Sequence, residues 1–342
     1  MNRPRPRPRP RSRIPSVWLV VLVIFAAAPA SAEEHIKLAL KLKPKQSITV
    51  DIITKRQTQQ EVGGTDLGME MTIGETLRYD VLDRQSVPGG YWFRVTYMHC
   101  RFKQVSQFAN IDYDSEQPAT EIHPVARGYA GLVNREFFVE VNRDGQVVQI
   151  QGEEGLVEEI LAAMNLPEGA RKEGARQGLE IQLSEESLRQ TLQLGAGVYP
   201  RRLIRVGSTW NDEQSFGGFM SMAIKTRFWL AGFDDDSATL RLSSQITPPA
   251  LPTPIPAPAT APATATATAP ATAPDDPPMN PKWAGTQTGT IILDRATGWP
   301  TSTELTQKLQ GEIAFEHPTA GMSTMQLSIS SSVSMAVIDG LD

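Results

Sequence analysis

The sequence predicts an α+β fold that is mainly β, in which two similar antiparallel β-sheet repeats flank a short helical segment. Long stretches alternate between apolar and polar residues, which is typical of strands with one covered face. One central stretch changes to the period of an α-helix, and the order of strands and turns before it recurs after it. We expect the two repeats to share one core or one curved cleft.

The first strands are predicted by alternation. A strand is expected over residues 48–62, and a second over 69–81, where the odd-numbered positions are apolar except at Glu75. A third strand begins at Tyr91, after a turn rich in glycine and proline. The dipeptide Asp144-Gly145 is a strong hairpin signal and predicts two further strands around it.

The middle of the chain has helical periodicity. One helix is expected to end before Pro167, a second lies within residues 169–183, and a third begins near Ser184, a suitable N-cap. The first of these helices carries on one face Leu156, Val157, Ile160, Leu161 and Met164.

Strands return after Val206. The alternating residues of 220–230 and 240–246 are separated by the acidic turn Asp234–Asp236. A hairpin is expected around Thr297-Gly298, followed by a final strand over 325–337.

The two β-rich parts resemble one another. Met71, Arg78 and Tyr79 align with Met220, Arg227 and Phe228, and the later hairpins also correspond. Internal duplication explains this similarity, although amphipathic strands also resemble one another without common origin.

The N-terminus is typical of a signal peptide. Arginine occupies every odd position from Arg3 to Arg13, an apolar run follows over 17–28, and Ala30-Ser31-Ala32 forms a small-residue cleavage site before Glu33. A transmembrane anchor or a nucleic-acid-binding arm are the alternatives. The apolar run is shorter than the roughly 20 residues that span a bilayer. We expect export by the general secretory route to the periplasm or the extracellular space, since no two arginines are adjacent.

Charge and composition exclude several classes of function. Residues 1–32 contain six of the 33 basic residues and none of the 38 acidic ones, so the remaining chain has a net charge of −11. Such a chain should repel nucleic acids and anionic lipid surfaces. No further apolar run is long enough to span a membrane. One cysteine, Cys100, excludes a disulfide framework and an iron–sulfur cluster.

The predicted organisation has four parts and one insertion. The signal peptide covers 1–32, the N-terminal β repeat 33–152, the helical segment 153–200 and the C-terminal β repeat 201–342. Residues 247–281 are almost wholly Pro, Ala and Thr and cannot bury enough apolar surface to order themselves. We expect this tract to be a disordered insertion within the C-terminal repeat.

Three segments resemble a known family. They are LKLKPKQSITV, the Tyr199–Trp210 run that contains RVGSTW, and GTQTGTIILDRATGWP, which ends at Pro300. Most of the mature chain, excluding the insertion, is similar to the exported bacterial family catalogued as domain of unknown function 6263. The resemblance implies one exported, β-rich unit and no particular chemistry.

No catalytic, metal or cofactor site is predicted. His99 and Cys100 are neighbours on a strand and should point to opposite faces, so they cannot form a nucleophile–base pair. The acidic turn at Asp234 lacks the spaced ligands of a calcium loop and is expected to be a solvated turn. Trp92 and Trp229 lie on the faces opposite their strands' main apolar rows, and we expect them to line a ligand cleft.

Two classes of function remain. The first is a non-enzymatic binding or carrier protein for an apolar ligand in the cell envelope. The second is a structural or assembly component of the envelope, which would contact partner proteins through sheet edges. The third predicted strand has apolar residues on both faces, with Trp92, Met98 and Phe102 opposite Phe93. This pattern favours a cleft and therefore the first class.

Overall fold

The computed structural model describes residues 34–62, 65–84, 86–117, 121–185, 188, 189, 192, 199–216, 222–248, 282–317 and 321–341. The predicted signal peptide, with its cleavage residues Ala30, Ala32 and Glu33, lies outside these residues. Most of the predicted Pro/Ala/Thr insertion, from residue 249 to residue 281, lies outside them as well.

Twelve strands and three helices are formed by the described residues. The strands are β1 (Ser47–Val62), β2 (Thr65–Leu82), β3 (Tyr91–Ser106), β4 (Asn110–Asp114), β5 (Glu136–Val141), β6 (Val147–Gln151), β7 (Thr209–Phe216), β8 (Met222–Phe233), β9 (Ser237–Thr247), β10 (Lys282–Asp294), β11 (Pro300–His317) and β12 (Gly321–Asp339). The helices are α1 (Pro124–Leu132), α2 (Glu153–Met164) and α3 (Ala170–Gln182). The prediction of a mainly β fold is confirmed. Strand β4 and helix α1 were not predicted.

All twelve strands belong to one antiparallel sheet. Their order is β6-β5-β3-β2-β1-β12-β11-β10-β9-β8-β7, and β4 pairs with β3 beside this path. The first and last strands are neighbours in the centre, where Ile52 lies opposite Met335. Each half of the sheet is thus a meander of chain-consecutive strands. That the halves are similar repeats stays a prediction.

The sheet has an inner face that bears the core and a largely polar outer face. We call inner the face that carries Ile48, Val50 and Ile52, all of which are buried. Cross-strand partners share a face, so the pairings extend it to Leu77 on β2, Met335 on β12 and the other strands. One cluster, the main core, joins inner-face residues from both halves to helix α2, through Leu156, Val157, Ile160 and Leu161.

A β-bulge in β3 changes which residues face the core. Thr76 pairs with His99 and Leu77 pairs with Tyr97, so Met98 is left over. The extra residue shifts the alternation by one. Phe102 therefore shares the inner face with Phe93, and the sequence prediction that placed these two residues on opposite faces is wrong.

The sheet is strongly curved at the end that carries the β5–β6 and β10–β11 turns, which we call the proximal end. The Tyr199 amide donates to the Asp144 carbonyl at 3.0 Å, and its hydroxyl donates to the Gly298 carbonyl at 2.6 Å. The strands β5 and β10 are six positions apart, about 29 Å in a flat sheet. One tyrosine can join both turns only because the sheet bends around the core.

An extended segment before β1 closes the same end. Leu40 donates its amide to the Arg143 carbonyl, and the Lys41 amide donates to the Thr297 carbonyl at 2.7 Å. Gly298, with φ +72°, lies against this segment, and a Cβ there would collide with the Ala39 carbonyl oxygen. The segment thus adds buried Leu38, Leu40 and Leu42 to the main core.

The helices lie on the inner face of the N-terminal half. Phe102 on β3 stacks on Tyr129 of α1 with ring centroids 4.5 Å apart. Gly131 of α1 lies close to Ile160 of α2, which packs the two helices together. None of the helices within the described ranges is long and apolar enough to cross a membrane.

Candidate functional site

The main core contains a small apolar cavity. Its volume is about 30 Å³, enough for about two water molecules. Residues from both halves of the sheet line it, among them Val50, Tyr79, Phe93, Val141, Trp299 and Met335. A space of this size cannot hold an acyl chain unless its walls move apart.

Trp299 forms part of the cavity wall. Its ring centroid lies 5.3 Å from that of Tyr79 and 5.6 Å from that of Phe93, so the three rings form one cluster. The Trp299 indole N–H is buried and has no acceptor among the described residues. A buried donor without an acceptor costs roughly 1–3 kcal/mol, and an acceptor atom within its reach would remove that cost.

Glu75 is an acidic residue on the inner face. It pairs with Ile52 on β1 and with Cys100 on β3, and its side chain is half-buried. Burial raises the pKa of Glu75 to about 7. The pKa of Cys100 and that of Tyr97 are raised, first by burial and then by the charge of Glu75. The sequence shows this residue as a break in an apolar row, but gives no sign of its burial.

A row of polar residues crosses the inner face. It lies farther from the proximal end than Glu75 and the cavity do. Successive cross-strand pairs align eight polar residues, interrupted at Met71 on β2. We call this set the polar row. From β3 to β7 it consists of Gln104, Arg56, Ser331, Gln307, Gln287, Ser244, Thr226 and Asp212.

An apolar patch lies beyond the polar row, toward the other end of the sheet, which we call the distal end. The distal cluster consists of the buried residues Met222, Ile246, Trp283 and Leu309, on four neighbouring strands. Four half-buried residues pack against it, namely Ile224, Met325, Leu327 and Ile329. All eight residues come from strands of the sheet, and no helical residue of the described chain belongs to this cluster.

Sequence comparison places the chain in a family. The model of the family of unknown function DUF6263 matches residues 88–300. The chain belongs to this family. The comparison with curated proteins gives no match.

The similar solved structures are distant. A structure of lipovitellin, described by its lipid–protein interactions, has 7% sequence identity and a TM-score of 0.45, and the match covers 87% of this chain. The chain spans 26% of the length of that lipovitellin chain. An outer membrane channel from Pseudomonas putida F1 has 8% identity and a TM-score of 0.19, with 87% of this chain and 97% of the channel covered.

Trp92 and Trp229 do not line the cavity. Both lie on the outer face, opposite Phe93 and Phe228. Trp92 is 3% exposed because the loop after β2 covers it, with the Arg84 guanidinium 3.9 Å from the ring centroid. Trp229 is half-buried. Seven strand positions separate them, so the strand order does not bring them together. A ligand-binding role for either stays a prediction.

His99 and Cys100 lie on opposite faces, as expected from their positions in a strand. The His99 Nε2 atom is 2.7 Å from Asp114 Oδ1 on the outer face, with Glu116 nearby. These three side chains could together offer ligands to a metal ion. Arg101 already lies 3.5 Å from Asp114 and 3.8 Å from Glu116 and supplies the positive charge. The arrangement is therefore better explained as a cross-strand ion-pair network.

The acidic turn at Asp234 satisfies its own hydrogen bonds. The Asp234 carboxylate accepts from the backbone amides of Asp236 and Ser237, which lowers its pKa. Arg295 donates to the carbonyl of Asp234. This geometry is that of a capped hairpin turn.

Proposed function

We propose that this protein is a non-enzymatic binding or carrier protein for an apolar ligand in the cell envelope, and that the distal inner face of the sheet holds the ligand. The observation that carries the proposal is the distal cluster. Apolar residues continue along the inner face beyond the helices, and four of them are only half-buried. Covering half-buried apolar side chains with an apolar partner removes apolar surface from water and lowers the free energy.

The outer face gives the contrast that supports this proposal. On β11 and β12 the inner-face residues are buried or half-buried, whereas their neighbours Glu304, Thr306, Lys308 and Ser330 are exposed. A ligand with an alkyl chain would therefore meet apolar contacts on one face only. Each methylene group that it buries contributes roughly 0.8 kcal/mol.

Export is part of the same proposal. Residues 1–32 have the order of a signal peptide, and a carrier in the envelope requires transfer across the inner membrane. The support for it is the sequence of the N-terminus, with its basic region, apolar run and small-residue cleavage site.

The test uses the mature chain and a neutral probe. Nile red, an uncharged apolar dye, is titrated into the protein, and 1-hexadecanol is then added as a competitor. We expect saturable dye binding that hexadecanol reverses. Leu327→Asp on the inner face should weaken dye binding at least about tenfold, since it places a charge among apolar contacts. Gln326→Asp, on the exposed outer face of the same strand, is the matched control and should bind as the wild type does.

Two results would reject the proposal. One is the absence of saturable binding to the wild-type protein, which would favour the structural or assembly function. The other is equal binding by the Leu327→Asp and Gln326→Asp variants when both unfold cooperatively, because the distal inner face would then not be the binding surface.

A further inference from the structure

We infer that the ligand is an anionic amphiphile, whose acyl chain lies on the apolar inner face and whose negatively charged head group binds at Arg56 in the polar row. This inference rests on the proposed function and adds the chemical class of the ligand. It follows from the alignment of the polar row, its unused hydrogen-bond donors and its one cation.

The polar row lies between two apolar rows. On its proximal side are inner-face residues such as Val333, Leu305 and Leu242. On its distal side, two residues further along each strand, are Ile329 and Leu309. A ligand that lies across these rows meets apolar contacts next to a line of polar groups. That pattern suits an amphiphile better than a pure hydrocarbon.

Hydrogen bonds within the row use its acceptors. Ser244 donates to Gln287 Oε1 at 3.4 Å, and Ser331 donates to Gln307 Oε1 at 3.3 Å. With these amide orientations, the Nε2 groups of Gln287 and Gln307 have no hydrogen-bond acceptor within the described part of the chain. Since an amide N–H₂ group only donates, the row offers donors to a ligand, as a carboxylate or phosphate requires.

Arg56 supplies the positive charge at this position. Its side chain is exposed on the inner face, next to Ser331 on β12. No carboxylate among the described residues forms an ion pair with it, whereas Arg94 and Arg101 on the outer face are both paired. Arg56 is thus a cation placed among apolar rows without a protein counter-ion, and an anionic head group is its complement.

The acidic residue in the row, Asp212, forms no ion pair with Arg56 among the described residues, and its carboxylate has another partner. Asp212 lies on the edge strand β7, six strand positions from β1. It accepts a hydrogen bond from Gln214 Nε2 at 2.8 Å. The two ends of the row therefore differ in charge, and the head group of an anion belongs at the Arg56 end.

The experiment compares three ligands that share a sixteen-carbon chain. They are palmitate, which is anionic, 1-hexadecanol, which is neutral, and hexadecyltrimethylammonium, which is cationic, each measured by displacement of Nile red below its micelle concentration. We expect the wild-type protein to bind palmitate about tenfold more tightly than hexadecanol, and the cation more weakly than both. The preference should decrease with added salt, because Arg56 is exposed.

Variants of Arg56 test whether this residue causes the preference for palmitate over hexadecanol. Arg56→Gln should reduce palmitate affinity about tenfold and leave hexadecanol affinity unchanged, whereas Arg56→Lys should retain the preference. The matched control is Lys55→Gln, which removes a charge from the adjacent exposed position on the outer face and should change neither affinity. Hexadecanol binding by every variant shows that the apolar surface is intact.

The outcomes separate the two proposals. If hexadecanol and palmitate bind with equal affinity, or if Arg56→Gln and Lys55→Gln reduce palmitate affinity equally, the inference about the head group is rejected while the proposed function stands. If none of the three ligands displaces the dye and the dye itself does not bind saturably, the proposed function fails.

Discussion

Replacement of Glu75 by glutamine should make the stability of the protein less dependent on pH. Glu75 lies on the inner face between Ile52 and Cys100. Its carboxylate has no hydrogen-bond donor among the described residues, and burial raises its pKa from 4.5 to about 7. Glu75→Gln has nearly the same shape and cannot ionise, so it removes the charge without creating a cavity.

The sign of the effect follows from proton linkage. In the unfolded chain Glu75 loses its proton near pH 4.5, and in the folded protein it keeps the proton until about pH 7. Between these values the unfolded state binds fewer protons, so the free energy of unfolding decreases as the pH rises. A shift of 2.5 units corresponds to about 3 kcal/mol at full burial. Because the side chain is half-buried, solvent screening lowers the expected effect to about 1–2 kcal/mol.

The assay is urea unfolding of the wild type and two variants at pH 5 and pH 8. Relative to the wild type, the free energy of unfolding of Glu75→Gln should increase by about 1–2 kcal/mol between pH 5 and pH 8. Glu70→Gln, on the exposed outer face of the same strand, should show no such gain. A change in stability caused by the new amide that is the same at both pH values cancels, because only the difference between pH 5 and pH 8 is compared. If the gain for Glu75→Gln is zero, or equal to that of Glu70→Gln, the buried position of Glu75 is not what controls its ionisation.

The remaining predictions concern the N-terminus, the insertion and the proximal end. Protein recovered from the envelope or the medium should begin at Glu33, as measured by intact mass, and a retained N-terminus would indicate an anchor. Deletion of residues 250–277 with a short Gly/Ser replacement should keep a cooperative thermal transition, because β9 and β10 are already paired neighbours. Loss of that transition would show that the tract is an ordered part of the fold. Tyr199→Phe should reduce the free energy of unfolding by about 1 kcal/mol, since it removes the donor to the Gly298 carbonyl; a urea midpoint equal to that of the wild type would contradict this.

Many of the strands, and the helices in the middle of the chain, were predicted because their sequence signals are local. The alternation over residues 48–62 predicts strand β1, and helical spacing up to Met164 predicts helix α2. Helix α1 was missed because the nine residues from Pro124 to Leu132 are too few for a clear period. The bulge at Met98 was missed because a bulge depends on the partner strand, and Phe102 was consequently assigned to the wrong face.

The residues that carry the proposed site differ from those that the sequence singled out. The sequence favoured an apolar cleft beside Trp92 and Trp229, and both residues lie on the outer face. The residues that carry the proposal, such as Leu327 and Arg56, belong to ordinary-looking alternating strands. Their relation depends on a pairing between β1 and β12, which are separated by almost the whole chain.

The sequence by itself determined most of the extended and helical segments and, outside the bulged strand β3, which residues of a predicted strand share a face, because these properties depend on neighbours a few positions away. It also set the charge of the chain and the predicted export signal. The tertiary structure alone decided that the first and last strands meet, that two distant turns share Tyr199, and that eight polar residues form one row. Each of these features depends on strand register, and register is set by contacts between segments that are far apart in the chain.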